Sequence, residues 1–346
     1  MSTRRRRLLL AAAATVVVVL LAEAGARVLA PYLAEPLRYG DDATAVKVAQ
    51  MDARGDACTD VVLAGNSMGR DAFDPAAFSA ADPQHRSAYN ASLDAASPEL
   101  LEPWITDEAV PRLAPTTVVL TLASLDVNAS GPATRAALDA YQGAEQTRSD
   151  LMGRLGATAG SISDLFAYRT QLRDPAEVRA ALDRLGTRTG AARPSPAGID
   201  RVLGPDGEGL SRRALHYGGE AGAKLFTREQ LLKGWTLDAD QVAAATELVD
   251  ELRADGTDVV LVVLPVTQDY VDQHPNGAAD FDAFLASAQG IAGSTGAPLV
   301  DLHDAAPTEL FADTHHLNAD GAAWFSAELA TQLDDLGLDR PARCSS

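Results

Sequence analysis

The sequence predicts an open α/β fold, a parallel sheet with helices on both faces, and three observations predict it. Short runs rich in Val and Leu, bounded by turn residues, read as strands buried on both sides. Segments with helical apolar spacing lie between those runs. The chain has 346 residues, 47% of them apolar, which is ample for a large core. In chain order the strand candidates are 60–64 (DVVLA), 87–90, 116–122 (TTVVLTL), 258–264 (DVVLVVL) and a weaker 298–302 (PLVDL). Helices are expected over 98–113, 239–254, 281–292 and 319–336, the last after Asn318, a residue suited to capping a first turn.

A different object stands ahead of the sheet. Residues 1–30 carry Arg4, Arg5, Arg6, Arg7 and Arg27 against Glu23, a net of +4, so the rest of the chain carries −23 of the formal −19. The arginines precede an uncharged run over 8–22, which as a helix spans roughly 22 Å at ~1.5 Å per residue. That is short of a ~30 Å hydrocarbon core, and 28–30 can extend it. Basic residues before an apolar run predict a cytoplasmic N-terminus and a body outside the membrane, so 1–30 reads as a transmembrane signal-anchor. A cleaved signal peptide competes, because Ala22-Glu23-Ala24 and Ala24-Gly25-Ala26 have the small-x-small form of cleavage sites. The arginine run also fits twin-arginine export.

Residues 31–57 read as a juxtamembrane linker and 58–340 as one α/β domain carrying an insertion over 130–237. Through residue 185 that insertion has polar helical patterns; 186–222 is rich in Gly, Arg and Pro and reads as loop. So long a stretch within a compact domain is expected to cover or flank a site. A pI near 4.6 argues against a nucleic-acid partner, which would require a basic face. Cys58 and Cys344 have no zinc-like or CxxC spacing; in an oxidising compartment they either pair or stay as two thiols.

The chemistry gathers at two strand ends. The first strand runs into Gly65-Asn66-Ser67-Met68-Gly69, which presents a serine at the carboxyl edge of the sheet, where open α/β folds place their sites. The string satisfies G-x-S-x-G, yet an α/β-hydrolase needs several strands ahead of its nucleophile, and none is read upstream of residue 60. A turn without catalysis is the plain alternative. The second feature is Asp313-Thr314-His315-His316-Leu317-Asn318, before the final helix. His316 would take the Ser67 Oγ proton while Asp313 fixes the imidazole tautomer, with His315 as fallback base. A metal set of Asp313, His303, His315 and His316 is a further alternative, although no thiolate assists it. No cofactor is expected. Arg70 either holds an anionic substrate group or pairs with a carboxylate.

A strand followed by G-N-S, with D-x-x-H-L-N near the end, resembles the SGNH (GDSL-type) hydrolase superfamily. Within it the chain is most similar to the membrane-tethered envelope branch that includes the D-alanine transfer protein of teichoic acid D-alanylation and the alginate O-acetylation proteins. The resemblance covers 58–130 and 238–338. It implies a flavodoxin-like three-layer fold, Ser67 as nucleophile, and Asp313 and His316 as its partners. The stretch from Tyr89 to Pro98 resembles the family's second block, with Ala95 where a glycine N–H helps bind the oxyanion. The third block falls on Ala123-Ser124-Leu125-Asp126, so Leu125 stands where the family has its side-chain oxyanion donor, an asparagine. Asn66 or Asn128 replaces that donor, or the hole is built from backbone alone. Asn90 is a further candidate for substrate contact, and an Asx turn at a strand end is the alternative for Asn90 and Asn128.

The resemblance thus implies an exported, membrane-tethered serine acyl-ester hydrolase or O-acyltransferase, acting on esters of an envelope glycan or lipid-linked carrier. The competing expectation is a non-catalytic envelope binding or assembly protein that keeps the fold.

Overall fold

The structure is a computed structural model that describes residues 3–33, 42–54, 59–149, 163–168, 171–173, 175–187, 203–209 and 220–338. Cys58 and Cys344 lie outside these residues, as does most of the expected loop over 186–222. The chain divides into two compact units: Met1–Ala45 with Gln142–Asp200, and Val46–Tyr141 with Arg201–Ser346.

The first unit is helical. Thr3–Leu29 is one helix and runs into a 3-10 turn at Ala30–Tyr32. Its end packs with the helices Asp164–Ala167 and Pro175–Thr187, and Ala30, Leu33, Tyr168 and Ala181 form a small core. Glu23 accepts hydrogen bonds from Ser163 Oγ (2.7 Å) and from the Asp164 and Leu165 N–H groups (both 3.1 Å), so it caps the second helix from outside. Among the described residues no helix is long and apolar enough to cross a membrane. The side chains of 1–14, which hold the first half of the expected span, lie outside those described, whereas Val17, Val18, Val19, Leu20 and Leu21 are exposed.

The second unit holds the sheet. Its five strands are all parallel: β1 Val61–Ala64, β2 Ala88–Asn90, β3 Thr117–Leu122, β4 Asp258–Val263 and β5 Leu299–Asp301. Their spatial order, β2-β1-β3-β4-β5, is that of flavodoxin-like sheets. Each strand lies within or beside a strand candidate of the sequence; four follow Val/Leu runs, while β2 (Ala-Tyr-Asn) does not. β1 and β3 are buried along their whole length, as strands covered on both faces must be. Ser67–Ala72 and Pro75–Ala81 pack with Ala319–Asp335, while Pro98–Pro103, Ala239–Ala254 and Ala278–Thr295 form a second helical group. Full burial of Leu63, Val118, Val260 or Phe325 contributes about 1.5–3 kcal/mol each.

Two elements differ from the sequence reading. The helix expected over 98–113 is present, but it widens into a π segment at Trp104–Ala109 between α-helical turns. Pro103, which has no N–H to donate, stands immediately before that segment. The expected linker 31–57 contains a helix, Asp42–Arg54. Lys47, Val48 and Met51 lie on its buried face, and the charge at Lys47 disguises the apolar stripe.

Candidate active site

In a 2-1-3-4-5 sheet the strand order reverses between β1 and β3, and a crevice opens beyond their carboxyl ends. Gly65 and Asn66 leave β1 there, and the Ser67–Ala72 helix begins at once. Asn66 caps that helix by accepting the Met68 N–H (2.7 Å), while its Nδ2 donates to Asp126 Oδ1 at the end of β3 (2.6 Å). Both motif glycines are there for lack of room. A Cβ on Gly65 would lie 1.8 Å from Thr121 Oγ1, and one on Gly69 2.9 Å from Thr121 Oγ1 and 2.9 Å from Ser92 Oγ. Close approach to β3, and not an unusual backbone angle, is what the G-x-S-x-G pattern encodes.

Ser67 Oγ is 3.0 Å from His316 Nε2, and His316 Nδ1 is 2.8 Å from Asp313 Oδ2. Asp313 also receives the backbone N–H of His315 (2.9 Å) and His316 (2.8 Å) on its other oxygen, so a single turn fixes both acid and base. That turn is anchored by Asn318, which caps the following helix through Gly321 N–H (2.9 Å). Burial depresses the His316 pKa, but the hydrogen bond and charge of Asp313, with Asp71 behind, outweigh it and the net shift is upward. Asp313 runs the other way: burial would raise it, and the two histidines hold it well below the carboxylate range.

His315 is a different kind of histidine. Thr227 Oγ1 donates to Ala223 O, so it accepts from Thr314 Oγ1, which in turn accepts from His315 Nδ1–H (2.9 Å). The proton therefore sits on Nδ1, and the buried Nε2 has no partner among the described residues. Burial first, then the charge of His316, pushes its pKa down to about 3. It makes no hydrogen bond to Ser67, so the fallback base is not in place. Asp313, His315 and His316 do offer ligand atoms within 4.8 Å of one another. Asp313, both His316 nitrogens and His315 Nδ1 are, however, occupied by the bonds just described, which leaves His315 Nε2 as the one unpartnered ligand atom of the three residues, and His303 is bound to Asp301 (2.8 Å). The donor set fits a proton relay better than a metal.

The remaining sequence candidates divide. Ser67, Asn66, Ala95 and Asn128 line one cavity of ≈280 Å³ together with His316. Ala95 adopts φ +53°, the left-handed conformation an L-residue pays for, and its N–H has no acceptor among the described residues. The Ser67 N–H, first in its helix, is likewise an orphan donor. Asn128 is held in an Asx turn by Ser130 N (3.1 Å) and gives an amide hydrogen to Leu231 O (2.9 Å). Asn90 is the correction: it does not face the cavity. Its Nδ2 donates to the Gly69, Arg70 and Phe73 carbonyls (3.1, 3.0 and 2.9 Å) and its Oδ1 accepts Ser92 N–H (3.1 Å). The residue is fully buried, so it staples the end of the Ser67 helix and has no hydrogen to offer a substrate.

Arg70 is paired with Asp71 (2.8 Å) and with Asp94, and is not a free anion site. Sequence reading missed Asp126, which receives Asn66 Nδ2 and Ala123 N–H (2.8 Å). Burial pushes its pKa up to about 7 against both bonds. It also missed Phe226, Gln230 and Leu231, which line the cavity from the far end of the insertion. Nothing local marks them, since the helix Glu220–Phe226 and its π extension Thr227–Leu231 follow a stretch read as loop.

No family model matches the chain, and neither does any curated protein. Among solved structures it is similar to a putative acylhydrolase from Bacteroides fragilis NCTC 9343, at 11% identity and a TM-score of 0.40, over 84% of this chain and 95% of that one. A catalytic mutant of the acetylxylan esterase Axe2 from Geobacillus stearothermophilus gives 12% and 0.38, over 81% and 94%. An extracellular lipase from Streptomyces rimosus gives 11% and 0.30, over 79% and 99%. At such identities and scores, the reading of the site rests on its own geometry.

Proposed function

We propose that the chain is a serine-dependent acyl-ester hydrolase. One observation carries this reading, the unbroken line from Ser67 Oγ through His316 to Asp313 at 3.0 and 2.8 Å. His316, neutral and with its tautomer set by Asp313, takes the Oγ proton as Ser67 attacks the ester carbonyl. The N–H groups of Ser67 and Ala95 stabilise the developing oxyanion, which leaves no task for the missing third-block asparagine. The alcohol departs with the proton from His316, and water then cleaves the acyl-enzyme by the same route. A binding protein would have no need of a buried carboxylate locked onto that imidazole.

We further propose that the helix Thr3–Leu29 is a retained anchor, with the second unit outside the membrane and its substrate an ester of the envelope. Supporting retention, the small-residue sites at 22–26 lie within a continuous helix whose next turns belong to the first unit. Ala26 is 2% exposed and Glu23 caps a partner helix, so cleavage there would dismantle folded structure.

Incubating the purified full chain with a fluorophosphonate tests the catalytic reading. An adduct on Ser67, abolished by His316→Ala, is the expected result. Labelling of another residue, or equal labelling in the variant, would sink it. Analysis of envelope glycan from cells with and without Ser67→Ala reports the direction of acyl flow: an ester that accumulates fits hydrolysis, one that disappears indicates transfer.

A further inference from the structure

A second cavity of ≈200 Å³ shares Asn128, Gly131 and Thr134 with the first, so the two adjoin across those residues. Its remaining walls come from Ser97 and Glu99 at the start of one helix, Arg135 and Leu138 in the helix Pro132–Ser149, and Asp238, Asp240 and Gln241 at the start of Ala239–Ala254.

Ser97 is the telling residue. It stands at the N-cap of Pro98–Pro103, where a serine hydroxyl ordinarily accepts from the first turn, yet here it makes no capping bond. Gln241 has taken over that task. Its Oε1 accepts Glu99 N–H (3.2 Å) and its Nε2 donates to Glu99 Oε2 (3.0 Å). The Ser97 hydroxyl is left fully buried with no partner among the described residues, on the wall of the cavity. An orphan hydroxyl is a standing cost that a ligand group can relieve.

The surrounding groups narrow the ligand. Asp238 spends one oxygen on the Asp240 and Gln241 N–H groups (3.0 and 3.5 Å), which leaves its other oxygen as an acceptor. Arg135 is exposed, and its guanidinium has no carboxylate partner among the described residues. A simple anion would meet Glu99 and Asp238, and a simple cation would meet Arg135. Closely spaced hydroxyls, each both donor and acceptor, satisfy the whole set.

We propose that this second cavity is the alcohol-side subsite and takes the sugar ring of an O-acylated saccharide, with the ring bound by Ser97, Arg135 and Asp238 while its ester lies at Ser67. This rests on the acyl-ester reading above and adds to it the class of the leaving alcohol. The test compares two substrates on the purified full chain: mono-O-acetyl methyl glucoside, which has a ring to bind, and phenyl acetate, which lacks its hydroxyls. Ser97→Ala and Arg135→Ala should each lower kcat/KM for the glucoside about tenfold, the loss of one hydrogen bond, mostly through KM. Both should leave phenyl acetate within about twofold, and Ser97→Ala should not lower the unfolding midpoint, because it removes an unsatisfied group. Equal losses on both substrates, no loss on either, or a lowered midpoint for Ser97→Ala would overturn the subsite while Ser67-dependent phenyl acetate cleavage kept the enzyme reading standing. No cleavage of either ester and no fluorophosphonate adduct would overturn both.

Discussion

Replacing Asn90 with alanine separates a structural staple from a substrate donor. The amide supplies two hydrogens to three carbonyls at the end of the Ser67 helix and receives one from Ser92 N–H, all in a fully buried site. Gly69 O keeps its bond from Phe73 N–H (3.2 Å) and Arg70 O its bond from Gly209 N–H (3.0 Å), so those carbonyls are not stripped bare. Two lost hydrogen bonds at about 1 kcal/mol each, plus a buried Ser92 N–H stranded at about 1–3 kcal/mol, give a loss of about 3–5 kcal/mol. Against a typical stability of about 5–15 kcal/mol the variant still folds in buffer. Urea denaturation followed by intrinsic fluorescence should show the midpoint falling by about 1–2 M, for a slope near ~3 kcal/mol/M. Fluorophosphonate labelling in buffer should slow by no more than about tenfold, through a loosened Ser67 helix. The opposite pattern, an unmoved midpoint with labelling slowed by ~10²–10³, is what loss of an oxyanion donor produces. It would refute the assignment of Asn90 to the scaffold.

The remaining expectations follow from the same geometry. Activity requires neutral His316, so kcat/KM rises with pH, and because its pKa is lifted the midpoint of that rise lies above the ordinary 6.5. Asp313→Asn removes the bond and charge that lift it and leaves burial, so the acid limb moves to lower pH and the rate falls on the order of 10³–10⁴; an unmoved limb would contradict the pairing. Gly65→Ala drives a Cβ into Thr121 Oγ1, 1.8 Å away. It should cost about 1–3 kcal/mol in urea denaturation, with more than half recovered in the double variant with Thr121→Ala; simple additivity would rule out that collision. Intact mass of the chain extracted from membranes should retain residues 1–26, and a mature terminus at Gly25 or Arg27 would refute retention of the anchor.

Most of the sheet was legible because a parallel strand buried on both faces favours a Val/Leu run, and a run such as 258–264 has no other good reading; β2, buried Ala-Tyr-Asn, carries no such signal. Ser67, His316 and Asp313 were legible because each follows directly on a strand or precedes a helix, so chain order alone puts them at one edge. Lys47 shows where that logic stops. It lies fully buried, bonded to Asn90 O and to Gly207 O (2.5 Å), and a lysine on the inner face hides the stripe by which a helix is recognised. Asn90 failed for a related reason. Whether an asparagine meets a substrate or three carbonyls depends on where a helix 20 residues earlier comes to rest. Ala95 was readable only as a question, since an L-residue at φ +53° is a tertiary outcome and no local preference favours it.

Charge around the reacting serine bears on what enters and what leaves. Among the described residues Arg70 is the only lysine or arginine on the wall of the first cavity, and both Asp71 and Asp94 are bonded to it. Asp126 lies on the same wall with its pKa pushed up to about 7 by burial, and Asp313 stands behind His316, so the wall offers an anion no charge that Arg70 has to spare. An acyl group bearing its own negative charge gains nothing from a cation already paired twice, and it meets like charge in a partly desolvated cleft, where repulsion is stronger than in water. A neutral ester is admitted on its shape and polarity. If the chain hydrolyses such an ester as proposed, the acyl group becomes a carboxylate beside Asp94, and no unpaired cation among the described lining residues retains it. On the proposed hydrolase reading, a wall whose one guanidinium among the described residues is already paired twice is expected to favour release of the acid over its rebinding. In the second cavity the balance differs: Arg135 is unpaired among the described residues and an alcohol changes no charge on leaving, so recognition there can be tight without trapping the product.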